Sequence, residues 1–308
     1  MARRRKGLPI HGWIVLDKPD GMTSTSAVAA VKRRTGAAKA GHAGTLDPFA
    51  TGILPVALGE ATKTVPYLQE GEKRYRFTVR WGVATETDDR DGAAIAKSDA
   101  RPGRADIEAV LDRFVGDISQ VPPAFSAIRI GGRRAYDLAR TGDAPVMVPR
   151  TVSIADLRLA GVPDSENAVF EAVCGKGTYV RALARDMAAQ LGTVGHLVAL
   201  RRTRVGPFGE EHAISLDELG ENMQCAAALT HLHSVETALD DIPALAVTEM
   251  EAGRLRNGQA ISLLRKADLD RIAEFENGDT VLAMADGKPV ALARYTAGEV
   301  QPVRVLNL

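Results

Sequence analysis

The segment Arg74-Tyr75-Arg76-Phe77-Thr78-Val79-Arg80-Trp81 alternates strictly and constrains the fold more than any other stretch. Period two predicts a strand with Tyr75, Phe77, Val79 and Trp81 on one face and Arg74, Arg76, Thr78 and Arg80 on the other. Gly12-Trp13-Ile14-Val15-Leu16-Asp17 predicts a buried strand bounded by Gly and Pro19. Thr23-Ser24-Thr25-Ser26 offers N-caps for a helix that places Ala27, Val28 and Val31 on one face. Lys32, Arg33 and Arg34 fall in its last turn and Gly36 closes it. Ile107, Val110, Leu111, Phe114 and Val115 predict an amphipathic helix ending near Gly116. Strands are predicted around Val152–Leu159 and Ala168–Cys174, and a helix over Val180–Leu191. Strand-like and helical pieces thus interleave as far as residue 240, which indicates a mixed α/β or α+β domain. Beyond Asp240-Asp241-Ile242-Pro243, short strand-like pieces are separated by Asn257-Gly258, Asn277-Gly278 and Asp286-Gly287 turn signals. That pattern predicts a small appended β-barrel.

Composition removes several classes. With 308 residues, 45% apolar and 25% charged, the chain is neither disordered, collagen-like nor a coiled coil. The longest apolar stretch, Ile53–Leu58, falls far short of the ~20 residues that cross a bilayer. Arg3–Lys6 is not followed by an apolar segment of signal-peptide length. The two cysteines, Cys174 and Cys225, cannot build a disulfide framework or a cysteine-rich zinc site. A cytoplasmic protein is expected. The net charge of zero hides an asymmetry: residues 1–40 carry nine Lys/Arg against two Asp/Glu, and residues 201–308 eleven against seventeen. A basic leading segment fits either a polyanion partner or a solvated tail.

Chemistry concentrates in two segments. In Gly41-His42-Ala43-Gly44-Thr45-Leu46-Asp47-Pro48-Phe49-Ala50-Thr51-Gly52, three glycines demand unusual backbone or close approach. Taken alone, Asp47-Pro48 reads as a helix start, Asp as N-cap and Pro at the first position. The segment is no phosphate-binding P-loop, because no Gly-Lys-Ser/Thr follows. Thr87-Asp88-Asp89-Arg90-Asp91-Gly92 puts Thr87 at the first position of a calcium loop and Ser98 at the terminal Glu position, so it reads as an acidic turn. His231 and His233 have no cysteine partner, and metal binding is not expected. The second segment, Gly175-Lys176-Gly177-Thr178-Tyr179-Val180-Arg181, joins a strand to a helix. The helix dipole disfavours a cation in the first turn, so Arg181 calls for a carboxylate or phosphate partner, with a solvated arginine as the alternative.

Together these segments resemble the TruB family of tRNA pseudouridine synthases. The matching pieces begin with Leu16-Asp17-Lys18-Pro19, Gly21-Met22-Thr23-Ser24, Gly41–Pro48, Ala50-Thr51-Gly52, Leu58–Lys63 and Lys73-Arg74-Tyr75. They continue with Pro122 to Ala127, Gly131–Tyr136, Lys176–Arg181 and Leu200-Arg201-Arg202. The resemblance spans about residues 10 to 205. It implies an α+β fold: a mixed-sheet catalytic domain over 8–240 with an RNA-gripping insertion at about 124–150, then a PUA-like RNA-binding barrel over 241–308. It implies isomerisation of the T-loop uridine of tRNA, position 55, to pseudouridine. That reaction breaks N1–C1′, turns the uracil and joins C5 to C1′, and needs no metal, nicotinamide or nucleotide cofactor. By resemblance Asp47 is the catalytic carboxylate, Arg181 its partner and Tyr75 the ring that stacks on uracil and handles the C5 proton. His42 fills the space left by the extruded base. Lys18, Tyr179 and Leu200 line or brace the pocket, and Arg133 and Arg134 contact phosphate. The partner implied is a tRNA T-stem-loop, with no membrane, no obligate protein partner and a monomeric enzyme. Two alternatives stand beside this reading. One is a guide-RNA-dependent, dyskerin-like synthase, which the Ser126–Tyr136 match disfavours. The other is a non-catalytic tRNA-binding or folding module in which Asp47 merely caps a helix.

Overall fold

The computed structural model describes residues 7–126, 128–141, 145–220 and 230–308, with side chains 129, 134, 137, 266, 267 and 269 left aside. Arg3–Lys6, Cys225 and the side chain of Arg134 therefore lie outside the described part. The strands are β1 Gly12–Lys18, β2 Ala40–His42, β3 Thr51–Leu58, β4 Lys73–Trp81, β5 Val83–Thr85, β6 Ala94–Lys97, β7 Gly116–Gln120, β8 Arg129–Ile130 and β9 Arg133–Arg134. Next come β10 Arg150–Gly161, β11 Asn167–Cys174, β12 Gly195–Val205, β13 Phe208–Gly209, β14 Ala244–Ala246, β15 Ile261–Ser262, β16 Thr280–Ala285, β17 Lys288–Thr296 and β18 Glu299–Val305. The helices are α1 Ser24–Thr35, α2 Val65–Glu70, α3 Arg104–Leu111, α4 Ala135–Arg140, α5 Val180–Gln190 and α6 Glu249–Arg256.

Among the described residues, nine strands form one mixed sheet in the order β1-β3-β12-β4-β11-β10-β7, with β2 on β3 and β13 on β12. Burial explains the two kinds of sequence pattern. On β1, Ile14 and Leu16 enter one apolar cluster while Trp13 and Val15 enter a second on the opposite face. β3 does the same with Leu54 and Val56 against Ile53 and Ala57. Strands covered on both sides read as continuous apolar runs. β4 is covered on one side only. Phe77, Val79 and Trp81 are buried with Phe170 of β11, whereas Arg74, Arg76 and Arg80 face outward to Glu72, Glu171 and Glu166. α5 closes the covered face with Val180, Leu183, Ala184 and Met187.

α1 starts at Thr23, whose side chain accepts from the Ser26 N–H, and ends at Gly36 in the left-handed region, as its sequence predicts. Three local readings change. The predicted helix through Val115 ends as α-helix at Leu111. A tighter turn over Asp112–Phe114 follows, and Val115 is extended. No helix begins at Asp47-Pro48; the segment turns and passes directly into β3, so Asp47 caps nothing. The third change lies beyond residue 240, where Thr248 and Glu251 form a capping box that starts α6, and Asn257 is that helix's C-cap, not a hairpin turn.

Residues 244–305 contribute a second sheet, β14-β16-β17-β18-β15, packed over α6. Asp286 and Gly287, both at positive φ, make its β16–β17 turn. One side of this sheet is continuous with the first domain: Leu282, Leu292 and Leu306 share an apolar cluster with Trp13, Val15 and Phe208. Lys63 Nζ donates to the Val305 carbonyl at 2.7 Å, and the Asn307 N–H donates to Glu60 at 2.9 Å. Leu306→Ala should therefore destabilise the whole molecule, by about 2–5 kcal/mol for a buried leucine truncation. Urea denaturation followed by tryptophan fluorescence checks this, and an unchanged midpoint would show that the shared cluster adds no stability.

Candidate active site

Sheet register assembles the site. β3 runs parallel to β12 with Gly52 opposite Arg202, and β12 runs antiparallel to β4 with Arg202 opposite Tyr75. The loop preceding β3, which carries Asp47, is thereby delivered beside Tyr75. Gly52 is required at this crossing: its φ is +97°, and a Cβ there would lie 2.2 Å from the Arg202 carbonyl oxygen.

A cavity of about 340 Å³ lies at this point, lined by Asp47, Tyr75, Tyr179, Arg181, Leu200 and Arg202 among others. Its volume lies within the range of small-ligand sites. Arg181 enters from the first turn of α5 and is buried. Its Nε lies 2.8 Å from Asp47 Oδ2, and Nη2 donates to Oδ1 at 3.1 Å, so the planar guanidinium faces both carboxylate oxygens. The same guanidinium donates to the carbonyls of Thr87 at 2.8 Å and Phe125 at 2.9 Å, and Nη1 lies 3.6 Å from Asp89. These partners answer the mismatch between a cation and a helix start. Asp47 keeps a third of its side chain exposed, on the cavity side of the pair.

Two of these partners sit in the segment read from sequence as a plain acidic turn. Asp89 is buried, and burial raises its carboxyl pKa while Thr87 and Arg181 oppose the rise. Arg202, the last residue of the Leu200-Arg201-Arg202 match, is buried and ties the loop before β3 to β3 itself. Nε donates to Ile53 O at 2.7 Å and Nη2 to Gly44 O at 3.1 Å, and its charge acts on Tyr75, opposite it on β4. The available signal was its position two residues after Leu200, on the same strand face. Burial raises the Tyr75 pKa, with the Arg202 charge opposing, so the phenol is protonated at neutral pH.

The remaining predicted residues separate into groups. Tyr179 and Leu200 line the cavity. The backbone of Tyr179 is held by Gln120, which donates to its carbonyl at 3.2 Å and accepts from its N–H at 2.9 Å. Lys18 is fully buried behind the cavity and donates to the carbonyls of Pro19, Met22 and Pro48. Burial lowers its pKa to about 8. His42 lies on β2 outside the cavity wall, with burial and Arg202 both lowering its pKa, so the imidazole is neutral at pH 7. Arg133 is exposed on the β8–β9 hairpin, apart from the cavity. No group of His, Cys, Asp and Glu suited to a metal occurs among the described residues, and none of their helices is long and apolar enough to cross a membrane.

A cavity whose carboxylate is clamped by a buried arginine, at the junction of strands from one mixed sheet, defines an α+β enzyme site. Residues 32–180 match the family model for the TruB pseudouridylate synthase N-terminal domain, and residues 181–242 that for the tRNA pseudouridylate synthase B C-terminal domain. The tRNA pseudouridine synthase B of Bradyrhizobium diazoefficiens is 56% identical over 99% of this chain and 88% of its own length. That of Caulobacter vibrioides is 54% identical over 100% of both. Among solved structures, a Cbf5-Nop10-Gar1 complex aligns with TM-score 0.74 and 25% identity over 100% of this chain and 91% of that one. An H/ACA RNP bound to a substrate RNA shares the fold at TM-score 0.73 and 23% identity, over 100% of this chain and 92% of that one. The chain belongs to the TruB family of tRNA pseudouridine synthases, isomerases that convert uridine to pseudouridine.

Lys18 supports the turn that carries Asp47 through the Pro48 carbonyl. Lys18→Met, which strands three acceptors, should cost about 2–3 kcal/mol per charge-assisted hydrogen bond left unmade, tempered by relaxation. Thermal unfolding of the variant measures this, and unchanged stability would remove Lys18 as the brace.

Proposed function

We propose that this chain converts the T-loop uridine of tRNA, conventional position 55, to pseudouridine, with Asp47 as the catalytic carboxylate. The observation that carries the reading is the ion pair of buried Arg181 with Asp47, hydrogen-bonded through Nη2 and with Nε 2.8 Å from Oδ2, in a cavity lined by Tyr75. The reaction is balanced within the substrate. The N1–C1′ bond breaks, the freed uracil turns, C5 bonds to C1′, the C5 proton leaves, and N1 gains one. Nothing is oxidised or hydrolysed, so what the protein supplies is one ionised carboxylate, a ring to hold the loose base and exclusion of water. The adjacent guanidinium fixes the direction in which the Asp47 carboxylate faces the cavity. Tyr75 offers a stacking face and a hydroxyl that can relay the C5 proton, its oxygen accepting that proton as its own passes on toward N1 or water.

A uridine within a folded loop must be extruded to reach Asp47, at a cost of a few kcal/mol. His42, neutral and close to the loop that supports Asp47, is assigned to the vacated space, and the exposed Arg133 to phosphate contact. Lys18 acts as a brace of the Pro48 turn. Residues 241–308 form the RNA-binding domain of this reading. The alternative module in which Asp47 is a helix cap loses its basis, because no helix starts there.

A tRNA transcript tritiated at uridine C5 tests the proposal, since isomerisation must release the label. Release is expected from the native protein and none from Asp47→Asn, with tRNA affinity changed only a few-fold; label release by the variant would overturn the assignment. Arg181→Lys keeps the charge but loses the planar fork. Single-turnover kinetics should show a loss on the order of 10²-fold, the scale set by misplacing a reacting group. Tyr75→Phe should retain binding and lose most of the rate; a native rate would exclude the hydroxyl from the proton step.

A further inference from the structure

Two arginines one turn apart on α5 reach the same two segments of chain. Arg181 donates to the carbonyls of Thr87 and Phe125. Arg185 donates from Nη1 to the Asp88 carboxylate at 2.9 Å and from Nη2 to the Val121 carbonyl at 2.8 Å. Residues four apart lie on one helix face, so the two guanidiniums form an inner and an outer rung between the 87–89 turn and the 121–125 segment. The inner rung faces Asp47. The outer rung does not line the cavity.

Both segments need to be held. Asp88 adopts φ +59°, a left-handed conformation uncommon outside glycine. Besides Arg185, its carboxylate feels the charges of Arg181 and Asp186, both on α5. Val121 directly follows β7 and leads into the residues that carry Phe125 and then the β8–β9 hairpin. Gln120, fully buried, ties the near end of that segment to Tyr179. Without Arg185, the outer of the two bridges between the 87–89 turn and the 121–125 segment is lost, and only Arg181 still joins them. The carbonyls that set the plane of the Arg181 guanidinium are then held less firmly.

We propose that Arg185 is a positioning residue for the isomerisation. By bridging Asp88 to Val121 it fixes the Thr87 and Phe125 carbonyls that aim Arg181 at Asp47. The proposal rests on Asp47 being the catalytic carboxylate. It predicts that a side chain outside the cavity controls the chemical step and not the grip on tRNA. Lysine cannot replace it, because a single ammonium on a flexible stem does not hold two acceptors in fork geometry.

The test measures single-turnover tritium release at saturating tRNA, together with tRNA Kd, for the full chain carrying Arg185→Gln, Arg185→Lys, Asp88→Gly, or Arg185→Gln with Asp88→Gly. Each single variant should lose about ten-fold or more in rate, the scale of a small displacement at the reacting centre. Kd should stay within about three-fold, as for an interaction that matters in the transition state alone. The double variant should be no slower than Arg185→Gln, because both changes remove one rung. A native rate in Arg185→Gln, full rescue by Arg185→Lys, or a loss that resides wholly in Kd would overturn the proposal. If Arg185→Gln does not fold, Asp88→Gly decides: it removes the accepting carboxylate, tolerates the positive φ of this position, and a native rate in it rejects the bridge. Asp47→Asn in the same assay separates the two levels. Label release by that variant defeats the catalytic assignment, whereas an inactive Asp47→Asn beside a native-rate Arg185→Gln defeats only the positioning role.

Discussion

A guanidinium buried at the start of a helix is unstable unless other groups compensate for its lost hydration and for the adverse dipole. Arg181 meets this demand with four partners on three separate stretches: the Asp47 loop, the 87–89 turn with its Thr87 carbonyl and Asp89 carboxylate, and the segment carrying the Phe125 carbonyl. Each is distant in sequence from α5, so one side chain forces three loops to converge. The constraint acts in both directions. The loops satisfy the charge, and the charge gives the loops a fixed end point. A cavity lined by loops alone would be mobile, but this one has a rigid post at its centre.

The second post is Arg202, and it acts through backbone. It locks the Gly44 carbonyl and the β3 carbonyl of Ile53, and stands opposite Tyr75 on β4. The loop that carries Asp47 is thereby pinned to β12 at both ends. The division of labour is electrostatic. Arg181 neutralises a carboxylate directly, whereas Arg202 has a phenol as its side-chain partner and opposes the rise in phenol pKa that burial causes.

How much of this was legible in sequence depended on whether the signal was local. The alternation of Arg74–Trp81 predicts a half-covered strand, and β4 is one, because the pattern is written in consecutive residues. The helix-start position of Arg181 already calls for a partner, and it has one. The partners on the 87–89 turn were not legible: Thr87 contributes a carbonyl, which every residue has, and Asp89 sits in a run of acids that suits any exposed turn. Asp47-Pro48 carries a strong local helix-start signal that tertiary context overrides, since Ser24 and Lys18 hold the Leu46 and Pro48 backbone groups on either side of Asp47. α6 was hidden for the opposite reason. Its eight residues carry few apolar positions, Met250 is exposed, and the Thr248–Glu251 capping box was the one cue. Register decides what meets what in a sheet, and periodicity carries no information about register.

The shared apolar cluster bears on how the chain folds. Val305 meets Lys63 across 242 residues of sequence, and Leu306 packs with Trp13. Contacts closed over such a span form only after large loops have lost their freedom, which slows folding in proportion to contact order. The nine-stranded sheet can therefore assemble before its Trp13 face is covered, and an intermediate with that face open exposes Trp13, Val15 and Phe208 together. Such a surface is prone to association. Closure of the Leu306 contacts covers that surface, on the side of the sheet opposite the cavity.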